Sequence, residues 1–114
     1  MNVDSFVKAN LNIQRLNRYL HQSLDITQNH IAILSLVLNS QNQSMELQTL
    51  NHILQIDNSV LTRQLQLLEK RGYLKRKRHK GDMRKVSVFM SEQQMEETLA
   101  LMDLINEYIK DYEV

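Results

Sequence analysis

The sequence predicts a mainly α-helical domain with one small β-hairpin. Proline is absent and glycine occurs only twice, so the chain contains few residues that break helices. Leucine and isoleucine recur at steps of three and four residues, and one short segment alternates with a period of two. With 114 residues, of which 42% are hydrophobic, the chain can form one core. We therefore expect a single domain over residues 1–114.

Two helices are expected in the first third of the chain. The first, over residues 3–23, has an apolar face formed by Phe6, Ala9, Ile13, Leu16 and Leu20. The second follows a cap at Asp25 or Thr27. Its core face is formed by His30, Ile33, Leu34 and Val37. Because this helix is apolar on nearly every side, we expect it at the centre of the domain.

A helix-turn-helix is expected over residues 44–72. A polar connection, 39–44, leads to Ser44, which is a plausible cap for a short helix through Leu54. After a tight turn, Asp57 can cap a fourth helix over 58–71. The inner stripe of that helix is formed by Leu61, Leu65 and Leu68. Gly72 suits the left-handed position that follows many helix ends.

A hairpin and a final helix complete the chain. Val86, Val88 and Met90 alternate with Lys85, Ser87 and Phe89 with the period of two that is typical of a strand, and a polar turn at 79–82 precedes them. Ser91 and Gln94 match a capping box that opens a helix to about Tyr112. One apolar face of this helix is formed by Met95, Leu99, Met102, Ile105, Ile109 and Tyr112, and a second by Leu101, Leu104 and Tyr108. Together these elements describe a winged helix-turn-helix, in which residues 73–90 form the wing.

The net charge of +1 conceals a strong asymmetry along the chain. Residues 63–85 contain ten basic and two acidic residues, whereas the last 24 residues contain seven acidic residues and one lysine. A short, strongly basic segment is the electrostatic footprint of a polyanion partner. The sequence therefore predicts that the fourth helix and the wing bind a polyanion.

Several function classes are excluded or disfavoured by the residues present. The absence of cysteine excludes disulfides, thiol catalysis and cysteine zinc sites, and two glycines cannot form a glycine-rich phosphate loop. His21, Asp25 and His30 have spacings that do not fix a metal site. Glu96 and Glu97 are expected to face solvent. We therefore expect no enzyme, no metal and no cofactor.

No targeting segment or membrane span is expected. The first residues lack a basic cluster followed by an apolar stretch. The longest apolar run, 31–38, has eight residues, whereas a membrane-crossing helix needs about 20. We expect a soluble cytoplasmic protein that has no membrane partner.

Three segments resemble the MarR family of winged-helix transcription regulators. They are DNSVLTRQL (57–65), LEKRGYL (68–74) and RHKGDMR (78–84), of which the last contains an Asp-x-Arg wing signature at Asp82 and Arg84. The basic run 75–78 and the small size resemble the SarA-like subgroup. The resemblance implies a homodimer that binds double-stranded DNA, with a recognition helix in the major groove. It also implies that Arg84 enters the minor groove and that Asp82 orients it.

The resemblance and the residue chemistry together predict the DNA contacts. Polar residues on one side of the fourth helix, here called the recognition face, are Asn58, Ser59, Thr62, Arg63, Gln66 and Lys70. The predicted wing contacts are Lys75, Lys77, Arg78, Lys80, Asp82 and Arg84. Arginine and glutamine pair in a bidentate manner with guanine and adenine, and a hairpin arginine fits the narrow minor groove of A·T-rich DNA. We expect a repressor that occludes a pseudo-palindromic A·T-rich operator.

The terminal helices, residues 1–24 and 91–114, are expected to form the dimer interface. Their predicted interface residues are Phe6, Ile13, Leu16, Leu20, Leu99, Met102, Ile105 and Ile109. The alternative is that these helices pack only on each other within one chain. The C-terminal region is shorter than in typical MarR proteins. The sequence therefore does not establish that the usual dimer interface and effector pocket of the family are present. The sequence does not indicate whether a small-molecule effector is bound.

Other interpretations of the basic segment remain open from the residues alone. The recognition face could be an ordinary solvated helix face, and the basic run 75–78 could protect a sheet edge by its charge. Asp82 and Arg84 could form an ordinary surface ion pair. The main alternative function is a winged-helix module that binds RNA or an acidic protein.

Overall fold

Five helices and three strands form the described part of the chain. The computed structural model describes residues 1–111, with only the backbone at Met83, so the predicted apolar position Tyr112 lies outside the described residues. The helices are α1 (Val3–Tyr19), α2 (Gln28–Leu38), α3 (Leu47–Leu54), α4 (Asn58–Lys70) and α5 (Glu92–Ile109). The strands are β1 (Ser44–Glu46), β2 (Lys75–His79) and β3 (Asp82–Phe89), in the antiparallel order β1-β3-β2. This confirms the predicted winged-helix class.

Helix α2 lies at the centre of the core. All four residues of its predicted core face are buried: His30, Ile33, Leu34 and Val37. Thr27, one of the two candidate caps, accepts a hydrogen bond from the His30 backbone amide, and the Thr27 amide donates to His30 Nδ1 at 2.8 Å. Because both bonds are made, the helix starts with a complete capping box.

The buried His30 ring makes folding stability depend on pH. Burial lowers the pKa of His30 from 6.5, the Arg71 charge lowers it further, and the Asp25 charge partly opposes both. Above about pH 6.5 the ring is neutral in both the folded and the unfolded state. As the pH falls below that value, the unfolded chain takes up the proton first, so stability decreases towards the lower folded pKa.

A His30→Gln variant is expected to lose less stability than the wild type between pH 7.5 and pH 5.5. Glutamine is a favoured residue at this position of a capping box, so the substitution keeps the acceptor and removes the titration. The free energy of unfolding in urea at both pH values measures the effect. A matched His52→Gln variant, in which an exposed histidine on α3 is replaced, should keep the wild-type pH dependence. Equal losses in the wild type and His30→Gln would contradict this account.

The start of the helix-turn-helix differs from the prediction. Ser44 does not cap a helix: residues 44–46 form strand β1, and α3 begins at Leu47 with Glu46 in the cap position. Ser44 pairs with Phe89, and the Gln43 carbonyl accepts a hydrogen bond from the Met90 amide at 3.0 Å. Pairing with β3 therefore holds this segment extended, where the sequence predicted a polar connection and a helix start.

Helix α4 is placed by its inner leucines. The predicted stripe is confirmed, because Leu61, Leu65 and Leu68 are all buried. Asp57 occupies the cap position, but its side chain makes no capping hydrogen bond. Instead, Asn51 Nδ2 donates to the Ile56 carbonyl at 2.7 Å and holds the turn between α3 and α4. Both helices of the motif are therefore held on the side that faces the core, and the opposite side of α4 faces outwards.

The end of α4 has the left-handed geometry that the sequence predicted. Gly72 has a φ of +83°, which residues with a side chain rarely adopt. A Cβ atom at this position would meet nothing within 4 Å, so the backbone angle and not crowding favours glycine. The Tyr73 amide closes the helix end by donating to the Leu68 carbonyl at 3.0 Å.

The terminal helices contribute unequally to the core. Helix α1 buries no residue along its length, whereas the predicted capping box of α5 at Ser91 is confirmed. The buried side of α5 combines members of both predicted stripes with two polar residues, and it comprises Gln94, Thr98, Leu101 and Ile105. No helix in the described range, 1–111, is long and apolar enough to cross a membrane.

Two of the expected dimer-interface residues belong to the core of a single chain. Leu20 is 1% exposed and Ile105 is 4% exposed, so neither offers a surface to a second copy. The two terminal helices also meet at their C-terminal ends, where the centroids of the Tyr19 and Tyr108 rings lie 3.8 Å apart and the rings stack. The terminal helices of one chain are therefore in contact with each other at these ends.

Candidate nucleic-acid interface

The recognition face is accessible along the whole of α4. Five of its six residues are exposed, namely Asn58, Ser59, Arg63, Gln66 and Lys70. Thr62 is half-buried and lines an open cleft of about 490 Å³ between α3 and α4. Arg63 and Gln66 lie one helical turn apart, so their side chains project together. The face thus presents hydrogen-bonding groups from a helix whose other side is anchored by leucines.

An ion pair joins the wing to α4. Arg76 Nε donates to a carboxylate oxygen of Glu69, and both side chains are about one third exposed. Sequence reasoning did not select Arg76, because its partner lies on a different element and only the fold brings the two together. The pair fixes the base of the wing relative to the recognition face.

A second open cleft lies between α4 and the wing. Its volume is about 480 Å³, and its lining residues are Leu47, Thr62, Glu69, Arg76, Lys77, Arg78 and Val86. One residue of the recognition face, Thr62, and four residues of the wing therefore border one concave surface.

The strand register divides the basic run 75–78 between two faces of the sheet. Lys75 lies opposite Phe89 and Lys77 opposite Ser87, whereas Arg76 and Arg78 lie opposite the two valines of β3. Directly opposed residues in a sheet point to the same side. The two lysines therefore share one face, and Arg76 and Arg78 share the face that turns towards α4.

The tip of the wing is shaped by local hydrogen bonds. The strand register shifts between Arg78 and His79, and a hydrogen bond of 2.7 Å joins His79 Nε2 to Ser87 Oγ. Asp82 Oδ1 accepts a hydrogen bond from the Arg84 backbone amide at 3.0 Å. Within residues 1–111, no ion pair is formed between the Asp82 carboxylate and the Arg84 guanidinium. Asp82 thus holds the backbone that carries Arg84, and Arg84 itself is exposed together with Lys80.

A large apolar surface remains at the terminal helices. Of the predicted interface residues, Phe6 is 59% exposed, Leu99 50%, Ile13 42% and Ile109 41%. Leu16 and Met102 are half-buried against the core. Val3, Val7, Leu11 and Leu104 are also exposed. Most of the exposed large apolar side chains therefore lie on α1 and α5, as is typical of an interaction site.

The described residues contain no group of three or more histidine, cysteine, aspartate or glutamate side chains that could hold a metal ion. His21, Asp25 and His30 are therefore not brought together as a ligand set. His30 instead serves the α2 capping box, and Asp25 forms an ion pair with Arg71 at 2.9 Å.

Comparison with solved structures identifies the fold. AbsC, a MarR family transcriptional regulator from Streptomyces coelicolor, superimposes with a TM-score of 0.77 at 18% identity over 95% of this chain and 72% of that chain. AbfR of Staphylococcus epidermidis gives a TM-score of 0.74 at 18% identity over 97% of this chain and 75% of AbfR. Sco3205, a MarR family regulator from Streptomyces coelicolor solved in complex with DNA, gives 0.71 at 18% identity over 97% and 72%. At these identities the comparison establishes the MarR-type fold.

Sequence comparison identifies the family. No curated protein matches this chain. The family model of the transcriptional regulators SarA/Rot matches residues 15–101, which include α2, the helix-turn-helix, the wing and the first half of α5. Because this match covers most of the chain and the fold is that of MarR regulators, the chain belongs to the SarA/Rot family of transcriptional regulators.

Proposed function

We propose that this protein is a sequence-specific regulator that binds double-stranded DNA as a homodimer. The observation that carries the proposal is the cleft between α4 and the wing, which Thr62 of the recognition face lines together with basic residues of the wing. A duplex needs phosphate neutralisation for affinity and polar side chains at base edges for specificity. The wing offers the first and α4 the second. Sco3205, which shares the fold, has been crystallised with DNA.

In the proposed complex, α4 enters the major groove. Arg63 and Gln66 project from the same side of the helix, where arginine suits guanine and glutamine suits adenine. Asn58 and Ser59 lie in the first turn, where backbone amides can bind a phosphate. Lys70, at the other end of the helix, is placed for a second phosphate contact.

The wing enters the adjacent minor groove. Arg84 extends from a tip whose backbone is held by Asp82, and an arginine at such a tip fits the electronegative minor groove of A·T-rich DNA. Lys75, Lys77, Arg78 and Lys80 contribute phosphate contacts from the two sides of the hairpin. Their positions on different faces imply that only some of them contact one DNA strand at a time.

A second copy of the chain covers the apolar surface of the terminal helices in this proposal. Helix α1 buries none of its residues within one chain, although it carries five exposed large apolar side chains. A two-fold dimer would place two recognition helices about 34 Å apart, one turn of the duplex, as a pseudo-palindromic operator requires. Occupation of such a site would repress transcription by occlusion.

Titration of a labelled A·T-rich duplex, followed by fluorescence anisotropy at several salt concentrations, tests the DNA proposal. We expect affinity to fall steeply with salt, because each neutralised phosphate changes the logarithmic slope by about 0.9. Arg84→Ala should bind more weakly. Arg63→Ala should lose about 1–3 kcal/mol of discrimination at one base pair, the contribution of a bidentate arginine–guanine contact.

Arg18→Ala provides the matched control, because Arg18 is an exposed arginine on α1, outside the basic segment. It should bind like the wild type. The proposal of operator recognition is wrong if single-stranded DNA or RNA binds as tightly as the duplex and if neither Arg63→Ala nor Arg84→Ala weakens binding. That result would instead favour a winged-helix module for RNA or an acidic protein.

A further inference from the structure

Arg71, at the end of α4, bonds the recognition helix to the segment that ends the first helix. Its Nη1 donates to the Leu24 carbonyl at 3.1 Å, and its Nη2 donates to Asp25 Oδ2 at 2.9 Å. The Arg71 side chain is 29% exposed, so most of its surface is covered within the chain. One guanidinium therefore bridges a backbone group and a carboxylate that follow each other in sequence.

The segment that Arg71 contacts is a sharp corner of the chain, residues 20–25. Its first five residues form a π-helical turn that continues α1, and Asp25 then adopts a left-handed conformation with φ of 52°. The Ile26 amide closes the corner by donating to the Leu20 carbonyl at 3.1 Å. Leu20 and Ile26 are both buried, which anchors the two ends of the corner in the core. The direction of α1 relative to α2 is thus set here.

Two further hydrogen bonds join the same elements. Thr27 Oγ1, at the start of α2, donates to Gln64 Oε1 on α4 at 3.2 Å. Asn17 Nδ2 on α1 donates to Gln28 Oε1 on α2 at 3.3 Å. Together with Arg71, these contacts link α1, α2 and α4 in a closed ring. These contacts oppose a change in the angle between α1 and α4.

We propose that Arg71 is a positioning residue that determines which spacing of operator half-sites the dimer accepts. This inference rests on the proposed function, in which α1 joins two copies and α4 reads each half-site. If α1 is fixed to its counterpart and Arg71 fixes α4 to the corner after α1, the distance between the two recognition helices is fixed as well. Arginine suits this role because its planar fork can hold two acceptors at once, whereas lysine presents a point charge.

A different role for Arg71 is possible on charge alone, since it is one of the ten basic residues between positions 63 and 85. If Arg71 bound a phosphate, its replacement by glutamine would reduce the salt dependence of DNA binding, because fewer counterions would be released. If Arg71 is a positioning residue, its replacement leaves the salt dependence unchanged and alters the preferred geometry of the site. The two roles therefore differ in what they change, even where both lower affinity.

The experiment compares half-site spacing in the wild type, Arg71→Gln and Lys70→Gln. Selection from a random duplex pool with the wild type first defines the half-site, and duplexes with the spacer lengthened or shortened by one base pair are then titrated. We expect Arg71→Gln to reduce the preference for the best spacer by about three- to tenfold, the size of coupling within one hydrogen-bond network. Its salt slope should equal that of the wild type. Arg71→Lys should lie between the two proteins.

Lys70→Gln is the matched control, because it removes the same charge from the neighbouring, exposed residue. It should bind the duplexes of every spacer length more weakly by the same factor. The slope of its logarithmic affinity against the logarithm of the salt concentration should be shallower by about 0.9. If Arg71→Gln does not fold, Asp25→Gly serves instead, since glycine accepts the left-handed angle and removes the carboxylate partner. An unchanged spacer preference in the folded variant overturns the inference while DNA binding stands. Failure of the wild type to select any duplex overturns the proposed function itself.

Discussion

Replacing Phe6 by glutamate is expected to convert the proposed dimer into a monomer. Phe6 is 59% exposed in a single chain and lies on α1, the helix that buries no residue of its own. Burial of a phenylalanine side chain contributes about 1.5–3 kcal/mol, and a two-fold interface contains two copies of it. The dissociation constant of the dimer should therefore rise by roughly 10²- to 10⁴-fold, at 1.4 kcal/mol for each factor of ten.

Loss of the dimer should be visible in both mass and DNA binding. Sedimentation equilibrium measures the association, and anisotropy with a two-half-site duplex measures the expected loss of operator affinity. Lys8→Glu is the control, because it introduces a glutamate at an exposed position of the same helix on the side away from Phe6. It should remain a dimer. If Phe6→Glu is also a dimer at the protein concentrations at which the wild type is one, the second copy does not cover α1.

Replacing Ile33 by alanine is expected to cost about 2–5 kcal/mol of the free energy of unfolding, the range for large-to-small substitutions in a packed core. Ile33 is fully buried on α2, the central helix, where the surrounding helices cannot easily collapse into a cavity. Small domains have a total stability of about 5–15 kcal/mol, so a large share of it would be lost. Urea unfolding, monitored by circular dichroism, measures the change.

Ile53→Ala separates burial from the chemical change itself. Ile53 also lies in a helix, α3, but it is 49% exposed. Its replacement removes the same atoms from a site that is already half in water, so the effect should be within about 1 kcal/mol. Equal destabilisation by the two substitutions would show that Ile33 does not carry the core packing assigned to it.

The parts of the fold that depend on neighbouring residues were predictable from the sequence. The four core residues of α2 follow from helical spacing, the start of α5 from Ser91 and Gln94, and the helix end before Gly72 from backbone conformation. Each of these features is decided within one or two turns of chain. The exposed recognition face on α4 follows in the same way, because its buried leucines fix which side turns outwards.

The features that sequence reasoning missed depend on distant partners. Strand β1 has three residues, too few to show a period, and Phe89, the partner of Ser44, lies 45 residues further along the chain. Helix α5 carries two apolar stripes, and spacing alone does not decide which faces the core. Its buried side includes Gln94 and Thr98, whose polar groups bond to Ser91 and to the Met90 sulfur. The partners of Arg71 and Arg76 likewise come together only in the folded chain.

The attachment of the wing through β1 has a consequence for how this domain folds and how it can be dissected. A two-stranded hairpin alone is marginally stable in water, and here the third strand comes from before α3. Pairing of Ser44 with Phe89 closes a long loop, which makes it a slow, high-contact-order step. The wing therefore acquires its shape only as the helix-turn-helix assembles. It is not a portable module: a graft onto another scaffold must carry residues 44–46 together with 73–90.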